Sequence, residues 1–140
     1  MDVLQPEGWV RPRGYANGVA ARGSMVFVAE QVGWNARGEL ASDDFVAQAQ
    51  QALSNVVAIL AEAGAAPAHV VRLTWYVTDR DEYLSRLPEL GVAYRETMGR
   101  HYPAMSVVQV AGLVEDGAKV EIEATAVVPD GNRDAEQSAG

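Results

Sequence analysis

Two runs rich in β-branched and aromatic residues, Met25–Gln31 (MVFVAEQ) and Val70–Thr78 (VVRLTWYVT), flank a segment in which Phe45, Ala49, Ala52, Val56 and Leu60 recur at helical spacing. A strand, a helix and a strand in succession leave few architectures open. The helix is a suitable crossover between parallel neighbours, so a βαβ unit is expected. Ser42-Asp43-Asp44 offers an N-cap and negative charge for the first helical turn, and Gly64 is the residue expected just past the helix end.

The rest of the chain extends this unit. A strand around Tyr15–Ala20 is expected to form a hairpin with Met25–Gln31 across the turn Arg22-Gly23-Ser24. Tyr83–Met98 repeats the helical pattern, with Leu87, Leu90, Tyr94 and Met98 inward. Pro88 cannot sit inside a helix without loss of a hydrogen bond, so the main helix should begin near it. Two strands follow, Met105–Leu113 and Lys119–Val128, joined by a turn around Glu115-Asp116-Gly117. In the last of them Val120, Ile122, Ala124 and Ala126 alternate with Lys119, Glu121, Glu123 and Thr125, which gives one buried face and one polar face. The expected class is α+β, a mixed sheet with two helices packed on one face and the other face open to water or to a partner subunit. Residues 1–129 are expected to form one domain, and a chain of this size buries roughly 68–70% of its unfolded surface without metals or disulfides. Residues 130–140 hold too little apolar surface to order themselves and are expected to form a disordered tail.

Composition removes whole classes of function. The 140 residues include no cysteine, which excludes disulfides, thiolate metal sites and a cysteine nucleophile. Eleven basic against nineteen acidic residues give a net charge of −8, unfavourable for a polyphosphate backbone. Arg11, Arg13, Arg22, Arg95 and Arg100 are dispersed and read as solvated surface charge, so no nucleic-acid partner is expected. The N-terminus has no basic start followed by an apolar stretch, and no segment reaches the length of a membrane span; a cytoplasmic protein without a membrane partner is expected. The two histidines, His69 and His101, lack ligand spacing and read as a loop residue and a structural turn, so neither a metal nor another cofactor is expected. The glycine-rich nucleotide motifs and the G-x-S-x-G elbow are missing from the sequence.

The remaining candidates are carboxylates. Glu30 falls by alternation on the face of Val26 and Val28, where partial desolvation would raise its pKa toward the range useful for proton transfer; alternatively it stands at an exposed strand end. Glu121 and Glu123 could share a site and split their pKa values, although for Glu123 the polar face of a strand is the preferred reading. Trp34 and Trp75 read as core or interface aromatics.

Four motifs then occur in order between Gly14 and Val128. They are Gly14-Tyr15-Ala16-Asn17-Gly18-Val19 followed by Gly23-Ser24-Met25-Val26-Phe27-Val28-Ala29-Glu30-Gln31; Asn55-Val56-Val57-Ala58-Ile59-Leu60 with Ala63-Gly64-Ala65; Val70–Asp79; and Tyr102-Pro103-Ala104-Met105-Ser106 leading to Val120-Glu121-Ile122-Glu123-Ala124. Together they resemble the RidA/YjgF family. The resemblance implies a chorismate-mutase-like fold, a homotrimer with a central barrel, and small-molecule pockets between neighbouring chains. Archetypal members hydrolyse reactive enamines and imines such as 2-aminoacrylate, and some relatives are described as ribonucleases or translation inhibitors. By position, Tyr15 matches the family's pocket tyrosine and Glu121 its water-positioning glutamate, with Glu30 as a second acid/base candidate. Ala29, Met105 and Val107 would complete the substrate wall. Met105 stands where the archetypes carry a carboxylate-binding arginine, and a thioether cannot form that bidentate pair. Glu30 replaces a glycine, and Pro88 or Glu89 lies where a helix asparagine faces the pocket. A neutral, cationic or larger aromatic-derived ligand is therefore expected in place of a small anionic one. Two readings follow: a divergent imine or enamine hydrolase, or a non-catalytic trimeric protein that binds a small ligand.

Overall fold

The fold is that of a computed structural model, which describes residues 1–131. The chain runs β1 (Asp2–Leu4), β2 (Gly18–Ala20), β3 (Ser24–Gln31), α1 (Phe45–Glu62), a 3-10 turn (Pro67–His69), β4 (Val70–Val77), α2 (Arg80–Ser85), α3 (Leu87–Met98), β5 (Ala104–Gln109) and β6 (Val120–Val128). Residues 132–140 lie outside the described residues, and with them most of the segment expected to be a disordered tail.

The main sheet has the order β3-β6-β4-β5, with β4 and β5 parallel and β6 antiparallel to both of its neighbours. The α+β class, with α1 and α3 packed together against the sheet, agrees with expectation. Three connections differ from it. The strands that flank α1 are parallel but not adjacent, because β6 inserts between them and pairs with each. Likewise β5 and β6 are not a hairpin, since β4 lies between them, and β5 ends at Gln109 rather than Leu113. Residues near Tyr15–Ala20 do not pair with β3; Gly18–Ala20 pairs with Asp2–Leu4, and Ala16 bridges Ala104 on the edge of β5. The short helix α2, which is capped by the Asp79 side chain, takes the place of the first turns expected of a helix from Tyr83.

α1 is built as its sequence implies. The Asp44 carboxylate accepts from Ala47 N at 2.9 Å, and Gly64, at φ 68°, turns the chain out of the helix. Phe45, Ala49, Ala52, Val56 and Leu60 are all buried, and burying a side chain such as Leu60 contributes about 1.5–3 kcal/mol. Two polar residues of α1 fix its position on the sheet. Buried Gln48 donates to Ser42 O and Gly117 O and accepts from Lys119 N, while Asn55 donates to Val32 O and Trp34 O. Gly23 is required where it stands, because a Cβ there would lie 2.1 Å from Val128 O. In α3 Leu90, Tyr94 and Met98 are inward as expected, but Leu87 is 44% exposed, since the helix begins at that residue.

The two sheet faces differ sharply. Leu73, Trp75, Val77, Val120, Ile122 and Ala124 lie under the helices and are buried. On the opposite face Met25 is 60% and Phe27 71% exposed.

Candidate functional site

Pairing fixes which face each candidate occupies. Across β4 and β5, Leu73 pairs with Met105 and Trp75 with Val107, so Met105 and Val107 belong to the helix-covered face. Across β4 and β6, Thr74 pairs with Glu123 and Tyr76 with Glu121, which puts both glutamates on the open face. Glu30 departs from its simple alternation. Val28 pairs with Ala124 and Gln31 with Ile122, so three steps on β3 match two on β6, and this bulge carries Glu30 away from the side of Val26 and Val28. It is exposed, and its charge acts on Glu121 and Tyr76 across the open face.

The helix side holds a cavity of ≈ 440 Å³ between α3, β5 and the segment that precedes β2. Tyr15, Met105 and Val107 line it together, as three of the six expected site residues. Its aromatic wall was not foreseen. Tyr94 stacks on Tyr102 with ring centroids 5.4 Å apart, and Trp75 meets Tyr83 edge-on at 6.5 Å. Burial pushes the phenols of Tyr83 and Tyr94 up from their ordinary value, which keeps both protonated as donors. Arg13 and Arg95 also line the cavity, although the sequence presents both as dispersed surface charge. Only the fold, which sets α3 and residues 13–15 around one cavity, reveals them.

On the open face the Tyr76 hydroxyl donates to Glu123 Oε1 at 2.6 Å, which, with burial, holds the phenol up at about 12. The Glu121 carboxyl is raised above its ordinary value, first by burial and then by repulsion from Glu30 and Glu123. Glu123 is thus committed to a tyrosine, while Glu121 carries the raised carboxyl. Ala29 lies beside Phe27, Arg72 and Glu123 in a second hollow, of ≈ 490 Å³, on this same face. A single chain therefore gathers Tyr15, Met105 and Val107 at one place and Glu121, Glu30 and Ala29 at another, with the sheet between them.

The histidines are structural. His69 Nδ1 accepts from Ala66 N at 3.0 Å, and His101 Nε2 lies 2.6 Å from Val70 O. Among the described residues no group of three or more His, Asp and Glu side chains could hold a metal ion. No helix there is long and apolar enough to cross a membrane.

Comparison with known proteins places this geometry. Residues 10–128 match the family model described as Endoribonuclease L-PSP. The chain is 35% identical over 116 residues to the 2-iminobutanoate/2-iminopropanoate deaminase of Salmonella typhimurium, which covers 81% of this chain and 86% of that protein. It is 39% identical over 106 residues to a RutC family protein of Haemophilus influenzae, covering 75% and 80% of the two chains. A Rid-family protein of unknown function from Yersinia pestis superposes with a TM-score of 0.81 at 35% identity, over 91% of this chain and 98% of that one.

Proposed function

The chain belongs to the RidA/YjgF family, and we propose that it is an imine or enamine hydrolase whose sites form between copies of the chain in a homotrimer. One observation carries the reading. The cavity with Tyr15 and Met105 and the raised carboxyl of Glu121 are on opposite faces of one sheet, and the face bearing Glu121 is left with Met25 and Phe27 exposed. A neighbouring copy that covers that apolar face brings its own cavity wall to Glu121, and completes a site that one chain cannot assemble.

The chemistry then follows from the residues. Water adds to the carbon of a protonated C=N bond while Glu121 accepts its proton, which gives a neutral carbinolamine. Glu121 returns that proton to nitrogen and then takes the carbinolamine hydroxyl proton as the C–N bond breaks and the carbonyl forms, and ammonia leaves carrying that last proton as ammonium. An enamine enters the same sequence after protonation at carbon. A carboxyl raised toward neutral pH suits both directions of transfer. Tyr15 closes the pocket over the substrate, Met105 and Val107 form its apolar wall, and Glu30 adds negative charge beside Glu121. Ala29 borders the Glu121 side. Archetypal turnover of a small imino acid is weakened by Met105, which offers no charge to a carboxylate.

A second reading, a trimeric ligand-binding protein without catalysis, is favoured by that same Met105. RNA is disfavoured as a ligand by the net charge of −8 and by three glutamates on the open face. Ammonia release from freshly generated 2-aminoacrylate, 2-iminobutanoate and bulkier imines is the deciding measurement. We expect turnover of a bulkier imine to fall by about 10²–10⁴ in Glu121→Gln with the oligomer intact. No turnover of any imine by the wild-type oligomer would leave the binding protein.

A further inference from the structure

The helix-side cavity is cationic in a chain that is strongly acidic. Its lining includes Arg13 and Arg95 and no aspartate or glutamate. Neither arginine has an acidic partner among the described residues, whereas Arg86 is paired with Asp44 and Glu89. Arg95 is also given space. Gly91, one turn earlier on α3, lines the same cavity, and a Cβ there would lie 3.3 Å from an Arg95 guanidinium nitrogen. A glycine inside a helix costs roughly 0.8–1.0 kcal/mol relative to alanine. Gly91 leaves room for a guanidinium folded back along its helix beside the aromatic wall.

That wall carries a further polar group without a protein partner. Trp75 is 4% exposed, and its indole Nε1–H is the buried side-chain donor among the described residues that finds no acceptor. The cavity offers two guanidiniums in a setting of tyrosine and tryptophan rings.

We propose that Arg95, seconded by Arg13, is the carboxylate anchor of this cavity, so that its ligand is a carboxylate-bearing imino or keto acid with an aromatic side chain. The inference rests on the cavity being the ligand pocket of the proposed hydrolase and names its substrate class. It also revises the expectation, drawn from Met105 and Glu30, that an anionic ligand is disfavoured. The anion-binding charge has moved from the strand position of Met105 to α3, and the ring of the ligand takes the volume bounded by Tyr15, Tyr83, Tyr94 and Met105. Planar guanidinium donors match a carboxylate in pairs, and a side chain on a helix can supply them as well as one on a strand.

The test is calorimetric and needs no turnover. Phenylpyruvate, the stable keto acid of an aromatic imine, and phenylacetone, its counterpart without the carboxylate, are titrated into the full-length protein in its native oligomer. We expect Kd for phenylpyruvate to rise at least tenfold in Arg95→Gln and further in the Arg13→Gln/Arg95→Gln double variant. Arg95→Lys should recover part of the loss, and phenylacetone should bind all four proteins alike. Arg95 is exposed, so its replacement leaves the core untouched, which far-UV circular dichroism verifies. Equal phenylpyruvate affinity in the wild type and Arg95→Gln, or no phenylpyruvate binding at all, overturns the anchor. Arginine-dependent binding by a protein that hydrolyses no imine keeps the anchor and defeats the hydrolase; imine turnover with arginine-independent binding does the reverse.

Discussion

The two faces of the sheet come from the same strands and do different work. Beneath the helices, Leu73, Ile122 and Val120 are fully buried in one core cluster with residues of α1 and α3. On the open face the same strands present Phe27, Met25, Tyr76, Glu121 and Glu123, a mixture of exposed apolar rings and crowded carboxylates. The covered face is a core in the ordinary sense. The open face combines an apolar surface with a carboxyl shifted by burial and repulsion, features that make sense at a contact with another copy.

The largest expected effect would break this contrast outright. Phe27→Asp places a charge on the open face and should convert the proposed trimer to a monomer, read as a threefold fall in mass by light scattering. An unchanged mass would remove that face from the interface. Next in size, Leu73→Ala on the covered face should cost about 2–5 kcal/mol in denaturant unfolding, because a fully buried side chain leaves a cavity. A loss that small-scale repacking reduces below 1 kcal/mol would mean that the covered face is not the core.

Smaller effects sharpen the comparison on the open face itself. Tyr76→Phe removes the donor to Glu123 and should cost about 0.5–1.5 kcal/mol near neutral pH. The phenol's folded pKa is raised to about 12 from 10.0, so the stability linked to it is present below pH 10 and lost as pH rises toward 12. The difference between wild type and Tyr76→Phe should therefore shrink over that window. The smallest effect is Glu121→Gln. A raised carboxyl favours folding when protonated and opposes it when ionised, so the variant should melt roughly 1–3 °C higher at pH 7. That advantage should fade as pH drops toward the ordinary value of 4.5, and a pH-independent difference would show that Glu121 is not held in the strained state described.

Much of the molecule was legible in the sequence because it depends on local periodicity. The buried stripe of α1, its Asp44 cap, its Gly64 stop and the alternation in β6 required only spacing of 3.6 or 2 and the conformational habits of Asp and Gly. Tyr15, Met105 and Val107, quoted from two separate motifs, line one cavity. What the sequence could not show are relations between distant segments. The insertion of β6 between β3 and β4, the pairing of β2 with β1, and the separation of Glu121 from Met105 onto opposite faces are matters of strand order and register. The bulge after Val28 reverses Glu30, because one extra residue in a strand inverts every side chain beyond it. Arg13 and Arg95 are eighty-two positions apart in sequence and share a cavity only because the fold sets α3 and the segment leading into β2 around it. Periodicity along the chain settled which elements form and which side of each is apolar; long-range pairing, whose energy depends on residues far apart, decided which charges share a cavity.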